Sequence, residues 1–370
     1  MSQSGSSKLD LETPTSNVGK DPSDLLKLPL TTRSVTIRSD LVDSSGHSLT
    51  WNEAIRRLKW SLQRSKVHPV IRNKDTGERF TNYNKSPRNF TGEWVNWKHS
   101  QILDADRELC ERYGDPHTTF VTLTGTSYEN GQHMAPLDHY FDLDSSWKQG
   151  SGHRPICDSI DYYLSDKKGL EWEYLAIDGP HPHPASDNRC YPHRHILVYA
   201  DGPIDKSDFR GAIDAHLKYS DVAREPAHEL DKAVRVERVE DMGRYPIGQL
   251  DRSRGLVTPA ARDLSEHLPR LEAINGNLIG KPTDKLFSTL MFATKKQMWK
   301  PSNGFSNAYR DRWERRNDCV YPTRRKSTSE AEFEEAGIET DDGRFIPKEQ
   351  YEDNDSGGMT VTESIEGYYD

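Results

Sequence analysis

Two histidines set one residue apart, His193 and His195 in the run PHRHILVY, are the residues of this chain best suited to chemistry. In an extended segment side chains alternate faces, so both imidazoles point one way with Leu197, while Ile196 and Val198 point the other. A strand apolar on both faces is usually central and covered on both sides. Two neutral imidazoles at one end of such a strand can hold Mn²⁺, Co²⁺ or Zn²⁺, and Mg²⁺ where carboxylates and phosphate complete the site. The pattern alone is not specific. Buried, hydrogen-bonded structural histidines would produce it too. Cys190, three residues before His193, leaves a zinc site open together with His181 or His183 of the preceding loop.

The surrounding chain must position that pair. The stretch WEYLAIDGPHPHPASDNRCYPHRHILVYADGP (172–203) reads as strand, Pro/His/Asn-rich loop and second strand. Before it, LTWNEAIRRLKWSLQRSK spaces Trp51, Ala54, Ile55, Leu58 and Leu62 for a helix capped by Thr50, with a basic opposite face. Residues 67–87 read as a polar loop. A second helix is expected from Trp94 to Tyr113, stopped by Gly114-Asp115-Pro116. PHTTFVTLTGTS gives a Thr- and Val-rich strand closed by Gly125. Helices are expected around 145–164, after Asp205 or Ser207, and over 257–275. Residues 233–239 alternate strictly and form a strand.

Composition bounds what surrounds this body. Only 33% of the 370 residues are hydrophobic, and mean hydropathy is −0.90. No apolar run approaches the about 20 residues that span a bilayer, and no signal peptide opens the chain, so a cytoplasmic protein without membrane contact is expected. Four cysteines without CxxC pairing fit reduced thiols. Residues 327–370 carry 14 Asp and Glu against Arg344 and Lys348; that net of −12 within a total of −9 leaves +3 for residues 1–326. The expected organisation is a disordered tail over 1–47, a helical extension over 48–115, a main domain over 116–326 that carries the histidine strand, and an acidic disordered tail over 327–370.

Four blocks resemble the replication initiators of haloarchaeal plasmids and pleomorphic viruses, a branch of the HUH rolling-circle endonucleases. FVTLTGTS (120–127) is similar to their first motif, and WEYLAIDGPHPHP with YPHRHILVYADGPID to their second. NLIGKPTDK occupies the place of the third, and MFATKKQMWKPSNGFSNAYR is similar to the block after it. The resemblance implies an α+β fold with an antiparallel sheet of about five strands and flanking helices. It implies a divalent metal (Mn or Mg) held by His193 and His195, with Asp178 the nearest acidic candidate for a third ligand. Arg194, between the two histidines, stands where that family often has a hydrophobic residue. A tyrosine would attack a DNA phosphodiester, form a 5′-phosphotyrosine and leave a 3′-OH to prime synthesis. Origin DNA, single-stranded or hairpin, and the host replication helicase and polymerase are the implied partners.

The third block departs from the pattern. Leu278-Ile279-Gly280-Lys281 keeps the lysine but has leucine where the nucleophile belongs. Tyr309 and Tyr245 are the nearest tyrosines in sequence, so Tyr309 and Lys281 are the candidate catalytic residues. Downstream, Lys295, Lys296, Lys300, Arg310 and Arg312 are interleaved with Trp299 and other aromatics, a mixture that fits single-stranded DNA. Three readings stand: an initiator that nicks and rejoins a strand, an inactive origin-binding or copy-control protein of the same fold, and a zinc-binding structural protein using Cys190.

Overall fold

The computed structural model describes residues 26–347 except 64–66, 82–89, 181–189, 239–257, 318–332, 341–344 and a few shorter stretches. Its first helix, α1 (Trp51–Gln63), opens on a reciprocal cap: Thr50 N–H donates to Glu53 Oε2 at 2.9 Å and Glu53 N–H to Thr50 Oγ1 at 3.4 Å. The five residues read as its apolar stripe are all buried. Next, α2 (Gly92–Tyr113) begins where Trp94 N–H donates to Thr91 Oγ1 at 3.2 Å, and ends at Gly114 with φ 77°, a conformation that favours glycine.

The centre is a five-stranded antiparallel sheet with flanking helices, an α+β architecture as expected. Strand β3 (His117–Leu123) follows β1 (Val67–Asn73) and β2 (Arg79–Thr81), and the small hairpin β4 (Tyr128–Glu129) and β5 (Gln132–His133) comes after it. Helices α3 (Pro136–Ser145) and α4 (Pro155–Asp161) lead into β6 (Trp172–Pro180) and β7 (Pro192–Ala200). Then come α5 (Arg210–Tyr219), β8 (Val234–Arg238), α6 (Pro259–Glu266), β9 (Glu272–Ile274), β10 (Asn277–Ile279), α7 (Pro282–Thr294), β11 (Trp299–Pro301) and α8 (Asn303–Asn317). The sheet order is β11-β6-β7-β3-β8. All nine residues of β7 are buried, as a central strand requires.

Two apolar clusters sandwich the sheet. On one face Leu197, Tyr199, Leu175 and Ile177 pack with α1, α2, α6, α7 and α8; on the other Ile196, Val198 and Ala176 pack with α4 and α5. The helices of 48–115 therefore share the core of the sheet. Among the described residues no helix is long and apolar enough to cross a membrane.

Three expectations are corrected. The region expected as a polar loop, 67–87, contains β1 and β2. Part of the acidic tail, expected to be disordered, forms β12 (Phe333–Thr340) and β13 (Phe345–Pro347), and β12 pairs antiparallel with β1 from Val67↔Thr340 to Asn73↔Phe333. Near the other end, within 1–47, Leu30 and Leu41 are fully buried, and Thr32 donates to Asp138 Oδ2 through its amide (3.1 Å) and hydroxyl (2.8 Å). A few well-placed leucines and one carboxylate anchor a segment whose average composition is polar. The remainder of both tails lies outside the described residues.

The β1–β12 pairing makes a clear expectation. The β1 amides that face β12 should be protected from hydrogen exchange in the full chain and exchange at least roughly tenfold faster after truncation at residue 326. Equal exchange in both chains would show that β12 contributes nothing to β1.

Candidate functional site

His193 and His195 share one face of β7, and their rings converge. The two Nε2 atoms lie 2.5 Å apart, with ring centroids 4.3 Å apart and planes at 79°. So short a gap admits one shared hydrogen; a divalent ion, at about 2.0–2.1 Å from each nitrogen, would require the rings to part to about 3 Å. Thr122 of β3, directly opposite His195 in the register, holds the other side of that ring: Thr122 Oγ1 lies 3.1 Å from His195 Nδ1. With Nδ1–H donated to the hydroxyl, Nε2 presents its lone pair to the gap, the arrangement metal-bound histidines adopt. Phe120, on the same strand, stacks obliquely on His195 at 4.8 Å. Both imidazoles are buried, 2% and 5% exposed. The two imidazoles are thus the candidate metal donors on this face; among the described residues no third His, Cys, Asp or Glu completes a group.

Asp178 is not that third donor. It pairs with Arg194 in the β6–β7 register and so lies on the face opposite the histidines. Its carboxylate takes a forked pair from Arg194, Nε to Oδ1 at 2.6 Å and Nη2 to Oδ2 at 3.0 Å, while Arg194 Nη2 also donates to Asp144 Oδ1 at 2.6 Å. Lys300 donates to Asp178, Lys296 to Asp144, and the Tyr140 hydroxyl to Asp178 Oδ2 at 2.8 Å. Arg194 is 1% and Asp178 0% exposed, and the guanidinium lies 4.8 Å from the Trp147 ring centroid. Burial alone would raise the Asp178 carboxyl, but Arg194 and then Lys300 outweigh it and hold it below the usual carboxylate value. Asp144 is lowered in the same way by Arg194, Lys300 and Lys296. Burial, then repulsion by Arg194, brings Lys300 down to about 8 despite both carboxylates.

The other predicted residues fall in several places. Lys281, Tyr245, His181 and His183 lie outside the described residues. Leu278 is in strand β10, paired with Ala273, not on a helix. Tyr309 is a core residue of α8, 8% exposed, with the Arg310 guanidinium 5.9 Å from its ring centroid. Trp299 is buried too, 8% exposed. Of the basic segment, Lys295 is exposed at a φ of 54°, Lys296 and Lys300 serve the buried carboxylates, and Arg312, Arg315 and Arg316 pair with Glu111, Glu108 and Asp104 of α2. All of these but Lys295 are cations already matched within the fold. Cys190 is fully buried in the apolar cluster, and burial pushes its thiol well up, away from the thiolate that zinc requires.

Several residues at the site carried no local signal. Beyond β3, His216 Nε2 lies 3.0 Å from the Thr124 carbonyl, while Thr124 N–H donates to His228 Nε2 at 3.2 Å, with the two imidazoles 4.7 Å apart. Burial brings His216 down to about 3 and also lowers His228, so both are neutral and their tautomers are set by these bonds. At Gly125 a Cβ would fall 2.5 Å from Val222 Cγ2 and 2.8 Å from His139 Nε2, so only glycine fits. Asp144 and Tyr140 come from α3, whose partners across the sheet could not be read from spacing.

A family model described as "Putative rep protein (DUF1424)" matches residues 33–342. An "Uncharacterized 36 kDa protein" of Halobacterium salinarum is 29% identical over 275 residues, covering 70% of this chain and 75% of that protein. Another of the same description, from Halobacterium sp. (strain GN101), is 31% identical over 251 residues, 66% of this chain and 71% of its own length. No solved structure matches the chain.

The ion-pair network sets a measurable cost. Asp178→Ala leaves Arg194 buried without its main partner and should lower unfolding free energy by about 3–5 kcal/mol in urea denaturation at neutral pH. Because the Asp178 carboxyl titrates lower folded than unfolded, its contribution is complete above the ordinary value of 3.8 and is lost as pH falls below it. The gap between variant and wild type should therefore narrow in acid.

Proposed function

Because the chain belongs to the family described as "Putative rep protein", we propose that it initiates replication by binding origin DNA and, with a divalent metal at His193 and His195, nicking and rejoining one strand. The observation that carries the metal reading is the convergence of two Nε2 atoms on a central strand, one ring oriented by a threonine of the neighbouring strand. The sequence resemblance to HUH rolling-circle initiators supports the same reading. When bound there, a divalent ion would polarise a phosphoryl oxygen and offset charge in an in-line displacement. The chain's own contribution is orientation. Thr122 sets the His195 ring, the Arg194–Asp178 fork sets the backbone between the two histidines, and burial excludes competing water. With the rings this buried, DNA must part the chain that covers them.

Covalent capture needs a phenol in line with the phosphate; the O3′ then leaves with its electron pair and a proton, and the tyrosine keeps the 5′-phosphate. Leu278 cannot do this, and Tyr309 is packed in the core. That pair of observations favours a second reading, an origin-binding protein of the same fold that does not nick.

One assay separates the two. Supercoiled origin DNA with Mn²⁺ should be nicked and become linked to the protein, and peptide mapping of the adduct names the nucleophile. His193→Ala and His195→Ala should each lower nicking by at least about 100-fold while DNA affinity, which resides in phosphate contacts, stays within about threefold. Binding without nicking or adduct by the wild type would establish the second reading, and undiminished nicking by both variants would remove the metal assignment.

A further inference from the structure

We propose that Lys98, buried on the histidine face of the sheet at the level of His195, is a phosphate-binding residue of that site and takes a backbone phosphate of single-stranded DNA. This rests on the reading that the histidine pair acts on DNA. Lys98 lies in the first half of α2 and is 9% exposed. Its Nζ stands 4.5 Å from the Trp97 ring centroid and 4.3 Å from that of Trp299, and donates to Gln101 Oε1 at 2.9 Å.

Two independent routes place it beside the histidines. The first follows the helix. Tyr199 on β7 donates to Asp106 on α2 at 2.6 Å, and the Tyr113 phenol feels the charges of Glu173 and Asp201 beyond the Tyr199 end, so α2 and β7 run the same way. Lys98 precedes Asp106 by eight helical residues, about 12 Å. His195 precedes Tyr199 by four strand residues, about 13 Å. The second route follows the sheet. Trp299, which Lys98 touches, is paired with Ile177, and Ile177 with His195. Directly paired residues share a face, so these three form one row whose ends are about 10 Å apart at the backbone.

Charge explains what the lysine lacks. Arg194, buried, and Lys300, partly buried, both have Asp178. Among the described residues no carboxylate pairs with Lys98, and desolvation is the cause that brings it down to about 8. It remains a cation at neutral pH, held by two indole faces and one amide oxygen. A buried ammonium without a counter-ion is unfavourable, and an anion with several acceptor oxygens supplies what is missing. A phosphodiester at the histidine pair brings such oxygens to this row.

The test is the salt dependence of binding. A fluorescein-labelled single-stranded oligonucleotide is titrated by anisotropy over a KCl series without metal, against wild type, Lys98→Met and Lys98→Arg. Lys98→Met should bind about tenfold more weakly and its log–log salt slope should be shallower by about 0.7, one phosphate contact on a single strand, whereas Lys98→Arg should keep the wild-type slope. Lys98→Met should also melt at or above the wild-type temperature, since it removes an uncompensated charge. Wild-type affinity and slope in Lys98→Met overturn the assignment while leaving the proposed function intact. Failure of the wild-type chain to bind DNA overturns both. Should Lys98→Met not fold, the Nζ resonance of ¹⁵N-lysine-labelled wild type, assigned through Lys98→Arg, must shift on adding the oligonucleotide, and a stationary resonance overturns the proposal.

Discussion

Arg194 forks onto Asp178 inside the sheet, and the geometry of the histidine site is tied to that ion pair. The guanidinium belongs to the residue between His193 and His195, so whatever fixes it fixes the backbone from which both imidazoles spring. Asp178 draws β11 to the same point through Lys300, and Asp144 brings in α3 and Lys296. Three cations face two carboxylates, leaving one excess positive charge close to the half-exposed Lys296 end. A buried pair of this kind contributes less to stability than its contacts imply, because desolvation offsets most of the attraction. Its effect is geometric: once either charge is removed the other is stranded, so the fold tolerates one arrangement only.

The two faces of β7 divide the labour. One parity carries the charge lock and the apolar contacts to α4 and α5. The other carries the imidazoles, Leu197 and Tyr199, and meets α2 and α8. Strand β3 completes the histidine face because its exit is held at the backbone N–H and carbonyl of Thr124 by two neutral imidazoles, with Gly125 allowing Val222 and His139 to close in. Thr122 is thereby kept opposite His195. The histidine face is also where α8 lays Arg312, Arg315 and Arg316 against the acids of α2, so that a strongly basic helix is largely spent on holding the body together.

Much of this was legible in the chain, for reasons that differ by element. The central strand and its histidine pair were visible because apolar runs and side-chain alternation are local properties. Helix α1 announced itself through Thr50 and the spacing of Trp51, Ala54, Ile55, Leu58 and Leu62. The role of Asp178 was not visible. Its face depends on the β6–β7 register, and a loop of unknown geometry, 181–189, separates the two strands. The basic residues of α8 looked like a ligand surface because their partners Asp104, Glu108 and Glu111 lie some 200 residues earlier, although their spacing of three and four on α2 puts them on one stripe. Strand β10, which holds Leu278, was not read from the sequence, because so short a strand leaves almost no periodic signature.

The ladder joining Val67 to Thr340 links residues about 270 positions apart. Strand β2 pairs with one edge of β1 locally, but a ribosome must deliver nearly all of that intervening chain before the other edge is covered, so the nascent protein carries an unpaired edge of amides and carbonyls throughout most of its synthesis. Such an edge recruits other strands, and closing so long a loop is slow. Assembly of this protein in the cell is therefore timed by the arrival of its acidic segment, whose surplus negative charge would keep neighbouring nascent copies apart until that edge is covered.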